Sequence, residues 1–107
     1  MATISAQVRV NLVAAGAVVK ARAARAVAKA AHDIEAHAKS VAPVDTGHLK
    51  NSIQARPEGL LVWRVESPAD YSLYVEFGTR RMAARPFLTP AVEIVRPRLL
   101  EALRRIA

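Results

Sequence analysis

The one string in the chain with the look of a catalytic centre is Asp45-Thr46-Gly47. Two such loops, one from each half of a dimer, can bring together a pair of aspartates that share a proton and so act as acid and base. That arrangement needs an apolar strand running straight into the aspartate. Here the aspartate follows a long alanine-rich stretch and Pro43, so the string reads as a turn, with Asp45 or Thr46 capping a short helical turn through Lys50. His32 and His37 are five apart and do not share a helix face, and His48 falls in the turn. With Asp33 and Glu35 as the nearest carboxylates they lack the spacing of a metal-ligand set. The glycines at 16, 47, 59 and 78 are scattered, which leaves no phosphate-cradling loop and no strained turn for a serine nucleophile. Cysteine is absent, which excludes disulfides, thiolate zinc sites and thiol nucleophiles. The expectation is a chain with no catalytic residues, no metal and no cofactor.

The cations offer more. Arg80, Arg81 and Arg85 lie in one basic stretch, and Arg96, Arg98, Arg104 and Arg105 follow it. All are arginine, which suits phosphate or carboxylate forks. They read as a nucleic-acid surface, as a surface for the acidic part of a neighbouring copy, or as a solvated face. No helix-turn-helix or aromatic stacking platform accompanies them, so sequence-specific readout is not expected. The formal net charge is +7. Its layout says more than its sum, because residues 1–41 carry six basic and two acidic groups, residues 42–79 three and five, and residues 80–107 seven and two. Basic flanks around an acidic middle fit DNA contact or attraction between copies of the chain.

The 107 residues make a single domain, long enough to bury roughly two-thirds of its unfolded surface without staples. The apolar share is 52%, mostly alanine and aliphatic, against 5% aromatic, which implies close helix packing around a thin core. No apolar run is long enough to span a membrane, and no signal peptide is apparent. Ile4, Ala6, Val8, Val10 and Leu12 alternate with polar residues as in a half-buried strand, although Ile4, Val8 and Leu12 also fit a helix stripe. A helix is predicted over about 11–41, with Val19, Ala23, Ala26, Ala30, Ile34, Ala38 and Val41 on its apolar face and Pro43 ending it. Strands are predicted over about 52–56 and 60–66, the second with Leu61, Trp63 and Val65 on one face. Tyr71 to Phe77 fits a short helix or a strand, ended by Gly78. A last helix is predicted over about 90–106, capped by Thr89-Pro90, burying Val92, Val95, Leu99, Leu103 and Ile106 and kinked by Pro97 near Glu93–Ile94.

Three strings, in order, then carry a resemblance. They are Ala42-Pro43-Val44-Asp45-Thr46-Gly47-His48-Leu49-Lys50-Asn51-Ser52-Ile53, Tyr71-Ser72-Leu73-Tyr74-Val75-Glu76-Phe77-Gly78-Thr79, and Met82-Ala83-Ala84-Arg85-Pro86-Phe87-Leu88-Thr89-Pro90-Ala91. Together they resemble the tail-completion, or head–tail joining, proteins of the neck of long-tailed bacteriophages and related prophages. The resemblance implies an α+β fold, with a long N-terminal helix packed on a small antiparallel sheet and a C-terminal helix. It also implies a structural virion protein rather than an enzyme, assembled in the host cytoplasm. Such proteins form a ring, usually a hexamer, between the head connector or stopper and the tail terminator or tail tube. DNA passes through the lumen without sequence readout, and no membrane is involved.

On that reading Asp45, Thr46, Gly47, Glu76, Gly78, Thr79, Arg80, Arg81, Arg85, Pro86 and Phe87 fix loops or form interfaces. Arg96, Arg98, Arg104 and Arg105 face DNA or a partner. Glu76 and Arg85 are expected to pair, either within the chain to fix the loop after Gly78 or across the interface between neighbours. Phe87 and Leu88 are expected to plug that loop into the core. Other neck-ring roles, such as tail terminator, and a basic nucleic-acid-binding protein are the alternatives.

Overall fold

The computed structural model describes residues 4–12, 15–42, 51–67, 72–78, 80 and 83–106. Its elements are strand β1 (Ile4–Arg9), helix α1 (Ala17–Val41), strands β2 (Gln54–Gly59) and β3 (Val62–Ser67), helix α2 (Ser72–Phe77) and helix α3 (Leu88–Ile106). The sheet is antiparallel in the order β1-β3-β2. The α+β architecture read from the sequence is the one observed, and the region left between helix and strand is the helix α2.

β1 takes the alternating reading. Ile4 and Val8 are buried while Ser5, Gln7 and Arg9 are exposed. It pairs with β3 from Ile4↔Ser67 to Arg9↔Val62, and the Val10 N–H extends the ladder to the Leu61 carbonyl at 3.0 Å. That extension draws the chain away from helical geometry, so α1 starts at Ala17 and not near Asn11. Its cap residue Gly16 is extended (φ −71°, ψ 169°) and offers no side-chain cap. At the other end Ala42 is extended (φ −62°, ψ 138°), the geometry a following proline demands.

The buried face of α1 is broader than the predicted stripe. Val27 and Ala31 join Ala23, Ala30, Ile34 and Ala38 in the core, whereas Val41 is exposed. The reason is that α1 packs on two partners at once, the sheet on one side and α3 on the other. Alanine at the seam lets those partners approach closely. α3 buries Leu88, Ala91 and Val95, with Val92 and Leu99 packed against the core from its margin. The helix continues through Pro97, which is exposed, as are Glu93 and Ile94 on the preceding turn. The carbonyl that loses its donor there therefore faces water.

Candidate functional site

The most constrained group in the molecule is a carboxylate. Glu76, on the short helix α2, is only 4% exposed. Its Oε1 accepts the backbone N–H of Phe87 at 3.1 Å and of Leu88 at 2.9 Å, and its Oε2 accepts that of Thr89 at 3.2 Å. A helix start leaves its first N–H groups without intrahelical partners. Here Glu76 answers those of residues 87 to 89, and Pro90 has none to answer. The negative charge also lies against the positive end of the α3 dipole. Burial works against the charged form, but the Thr89 hydroxyl and the three N–H groups outweigh it and hold the carboxyl below the usual glutamate range.

The surrounding loop is pinned on the same helix. The Arg85 N–H donates to the Val75 carbonyl at 2.7 Å, and Gly78 turns the chain away from α2 at φ 79°, a left-handed conformation suited to glycine. Phe87 is fully buried and Leu88 nearly so.

This geometry corrects two expectations. Glu76 does not pair with Arg85 in the chain, because its oxygens are taken by backbone donors and the Arg85 side chain is exposed. Within the single chain it is also nearly buried, at 4% exposure. Thr89 is likewise not the cap of α3 but lies inside its first turn, and the capping role has passed to a glutamate 13 residues upstream. A side chain reaching a helix start from another element leaves no local spacing signal to find.

The arginines are dispersed rather than gathered. Arg80, Arg85 and Pro86 are exposed in the loop before α3, and Arg96, Arg98, Arg104 and Arg105 are exposed on α3. Arg104 and Arg105 share Glu101 at 3.7 and 3.6 Å. At the sheet, by contrast, cations are matched, with Arg56 on Glu66 at 3.1 Å and Arg64 on Glu58 at 3.0 Å. Asp45, Thr46, Gly47, Thr79 and Arg81 lie outside the described residues. His32 stacks edge-on against Trp63 with ring centroids 5.0 Å apart, and its Nδ1 is 3.7 Å from Glu35. Among the described residues no group of His, Asp and Glu could hold a metal ion.

The two margins of the sheet differ. Val10 pairs directly with Leu61, so even-numbered residues of β1 bond to β3 and the backbone groups of Ser5, Gln7 and Arg9 point outward. The even-numbered residues of β3 must then bond to β2, which leaves Ala55 and Pro57 as the outward-facing positions of that strand. The Ala55 N–H is taken by Glu35 Oε2 at 2.7 Å, and Pro57 has no N–H. Beside the β1 margin lies an open groove of about 350 Å³, lined by Val8, Val10, Ile34, Val92, Leu99 and Leu103, with Arg9 and Arg96 along it.

Residues 6–78 match the model of the HK97-gp10-like family, described as "Bacteriophage HK97-gp10, putative tail-component". No curated protein and no solved structure matches the chain. The matched segment runs from Ala6 within β1 to the glycine that ends α2 and so includes most of β1, all of α1, β2 and β3, and Glu76. With more than half its length covered, the chain belongs to the HK97-gp10-like family of bacteriophage tail components.

Proposed function

We propose that this tail component acts at the head–tail junction, where copies of it form a ring, a hexamer in the simplest case, that completes the tail and joins it to the head connector. The observation that carries the reading is the family match over residues 6–78. The three strings of the sequence that resemble tail-completion proteins support the neck position. The charge layout supports a partner at α3. Acids at the sheet are matched within the chain, whereas α3 presents Arg96 and Arg98 with no partner among the described residues. A ring of copies is closed by a heterologous contact, in which one patch meets a different patch of the next copy. The role is structural and non-enzymatic, with the head connector or stopper and the tail terminator or tube as neighbours and DNA in the lumen. No helix among the described residues is long and apolar enough to cross a membrane.

Electron microscopy of lysates from a producer lacking the gene tests this reading. Separate filled heads and tails are expected, and normally joined particles would overturn it. A tail-terminator role would instead give tails of uncontrolled length. A nucleic-acid-binding role is favoured by the exposed arginines of α3. It predicts binding to random-sequence duplex whose affinity falls steeply with salt.

A further inference from the structure

We propose that the outer margin of β1, together with the groove beneath α3, is a seat for one extended segment of an adjoining, different virion subunit. The segment carries aliphatic residues on one face and acidic groups near Arg9 and Arg96. Three observations converge on it. The first is the row of backbone donors and acceptors at Ser5, Gln7 and Arg9, which no described residue answers. A strand margin of this kind is a template for another strand, and proteins that do not use such a margin block it. This chain does block its other margin, with Pro57 and the Glu35 carboxylate.

The second observation concerns layer widths. Packed helices lie 8–10 Å apart and strands about 4.8 Å apart, so two helices cover roughly four strands. This sheet has three. α1 packs over all of them, while α3 meets the sheet chiefly at β1. The uncovered width is therefore beside β1, where the groove lies, and its apolar walls at Val8, Val10, Val92 and Leu99 suit the inward-facing residues of a fourth strand.

The third observation is charge. Arg9 and Arg96 border the groove and no acid among the described residues lines it, which favours an acidic occupant. A second copy does not fit. Its β1 would bring its own α3 over the same pair of strands, and its β2 margin is closed by Pro57 and Glu35.

The inference rests on family membership only for the nature of the partner, so it stands or falls apart from the head–tail position. The test is amide hydrogen exchange by NMR on the full chain, with a synthetic heptapeptide alternating glutamate and valine as the probe. In the free, dilute protein the amides of Ser5, Gln7 and Arg9 should exchange fast while those of Ala6 and Val8 are slow. The peptide should slow the first three. Gln7→Pro, which removes an N–H outside the ladder, should weaken binding about tenfold or more. Should that variant unfold, R9E/R96E serves instead and should shift preference to a peptide alternating lysine and valine. Slow exchange at Ser5, Gln7 and Arg9 in the free monomer would overturn the proposal, as would no response at millimolar peptide or equal binding of both peptides. Protection that grows with protein concentration and tracks a dimer in sedimentation would make a second copy the occupant and overturn the assignment.

Discussion

The closed side of this molecule and its open side handle the same problem in opposite ways. Backbone N–H groups project beyond regular structure at the start of α3, at the outer margin of β2 and at the outer margin of β1. At the first two, a carboxylate from another element answers them, Glu76 taking three and Glu35 one, while prolines at 90 and 57 remove the N–H of a further residue at each place. At the third no described residue does. The difference teaches that a short chain with a thin core can still specify its free surfaces closely, by placing acids and prolines where pairing is unwanted.

The comparison breaks most visibly at Glu76. Glu76→Ala should lower the free energy of unfolding by about 3 kcal/mol, read as a fall in the urea midpoint, because three N–H groups at the start of α3 lose their acceptor. Glu76→Gln keeps an acceptor oxygen and should cost about half as much. The charge also has a pH signature. Since the folded carboxyl titrates lower than an unfolded one, its stabilisation is fully present above about pH 4.3 and is lost as pH falls through the folded value. Urea midpoints between pH 2 and 7 should therefore decline at the acid end in the parent chain and decline less in Glu76→Gln.

Glu35→Ala comes next, at about 1 to 2 kcal/mol, since it leaves the part-buried Ala55 N–H bare. Its sharper readout is faster amide exchange at Ala55 with Ala6 and Val8 unchanged. Pro57→Val should change stability by less than about 1 kcal/mol while restoring an outward donor to β2. Light scattering should then show more self-association than in the parent, and the same combined with Glu35→Ala should show more still. The smallest effect belongs to exposed cations. Arg98→Gln should raise stability by a few tenths of a kcal/mol at low salt and not at all at high salt, because it relieves screened repulsion.

Much of the fold was legible because it is local. The alternation at Ile4 to Val10, the alanine stripe of α1 and the steps of three and four in α3 each follow from one element facing one core. Where an element faces two partners the reading slipped, as at Val27 and Ala31, which are buried only because α1 lies between the sheet and α3. The start of α1 shifted because a ladder bond at Val10 outweighs helix propensity around Asn11. The candidate site was legible as a set of residues and not as a set of contacts. Glu76, Gly78 and Phe87 stood in the strings that carry the resemblance, yet Glu76 looked like a partner for Arg85. A salt bridge can be guessed from opposite charges nine residues apart. A carboxylate that terminates a distant helix cannot, because its partners are backbone groups that every residue except proline possesses. The bond of Glu35 to the Ala55 N–H was hidden for the same reason.

The family match stops at residue 78, while the groups that Glu76 holds begin at residue 87. The acid and its ligands therefore fall on opposite sides of that boundary. Whatever segment follows Gly78 in a working protein of this build must return a helix start to the same spot, or a buried anion is left stranded. A substituted C-terminal helix would keep this fold only on one condition. A replacement is free to differ in length, charge and outward face, but it must dock by its first turn.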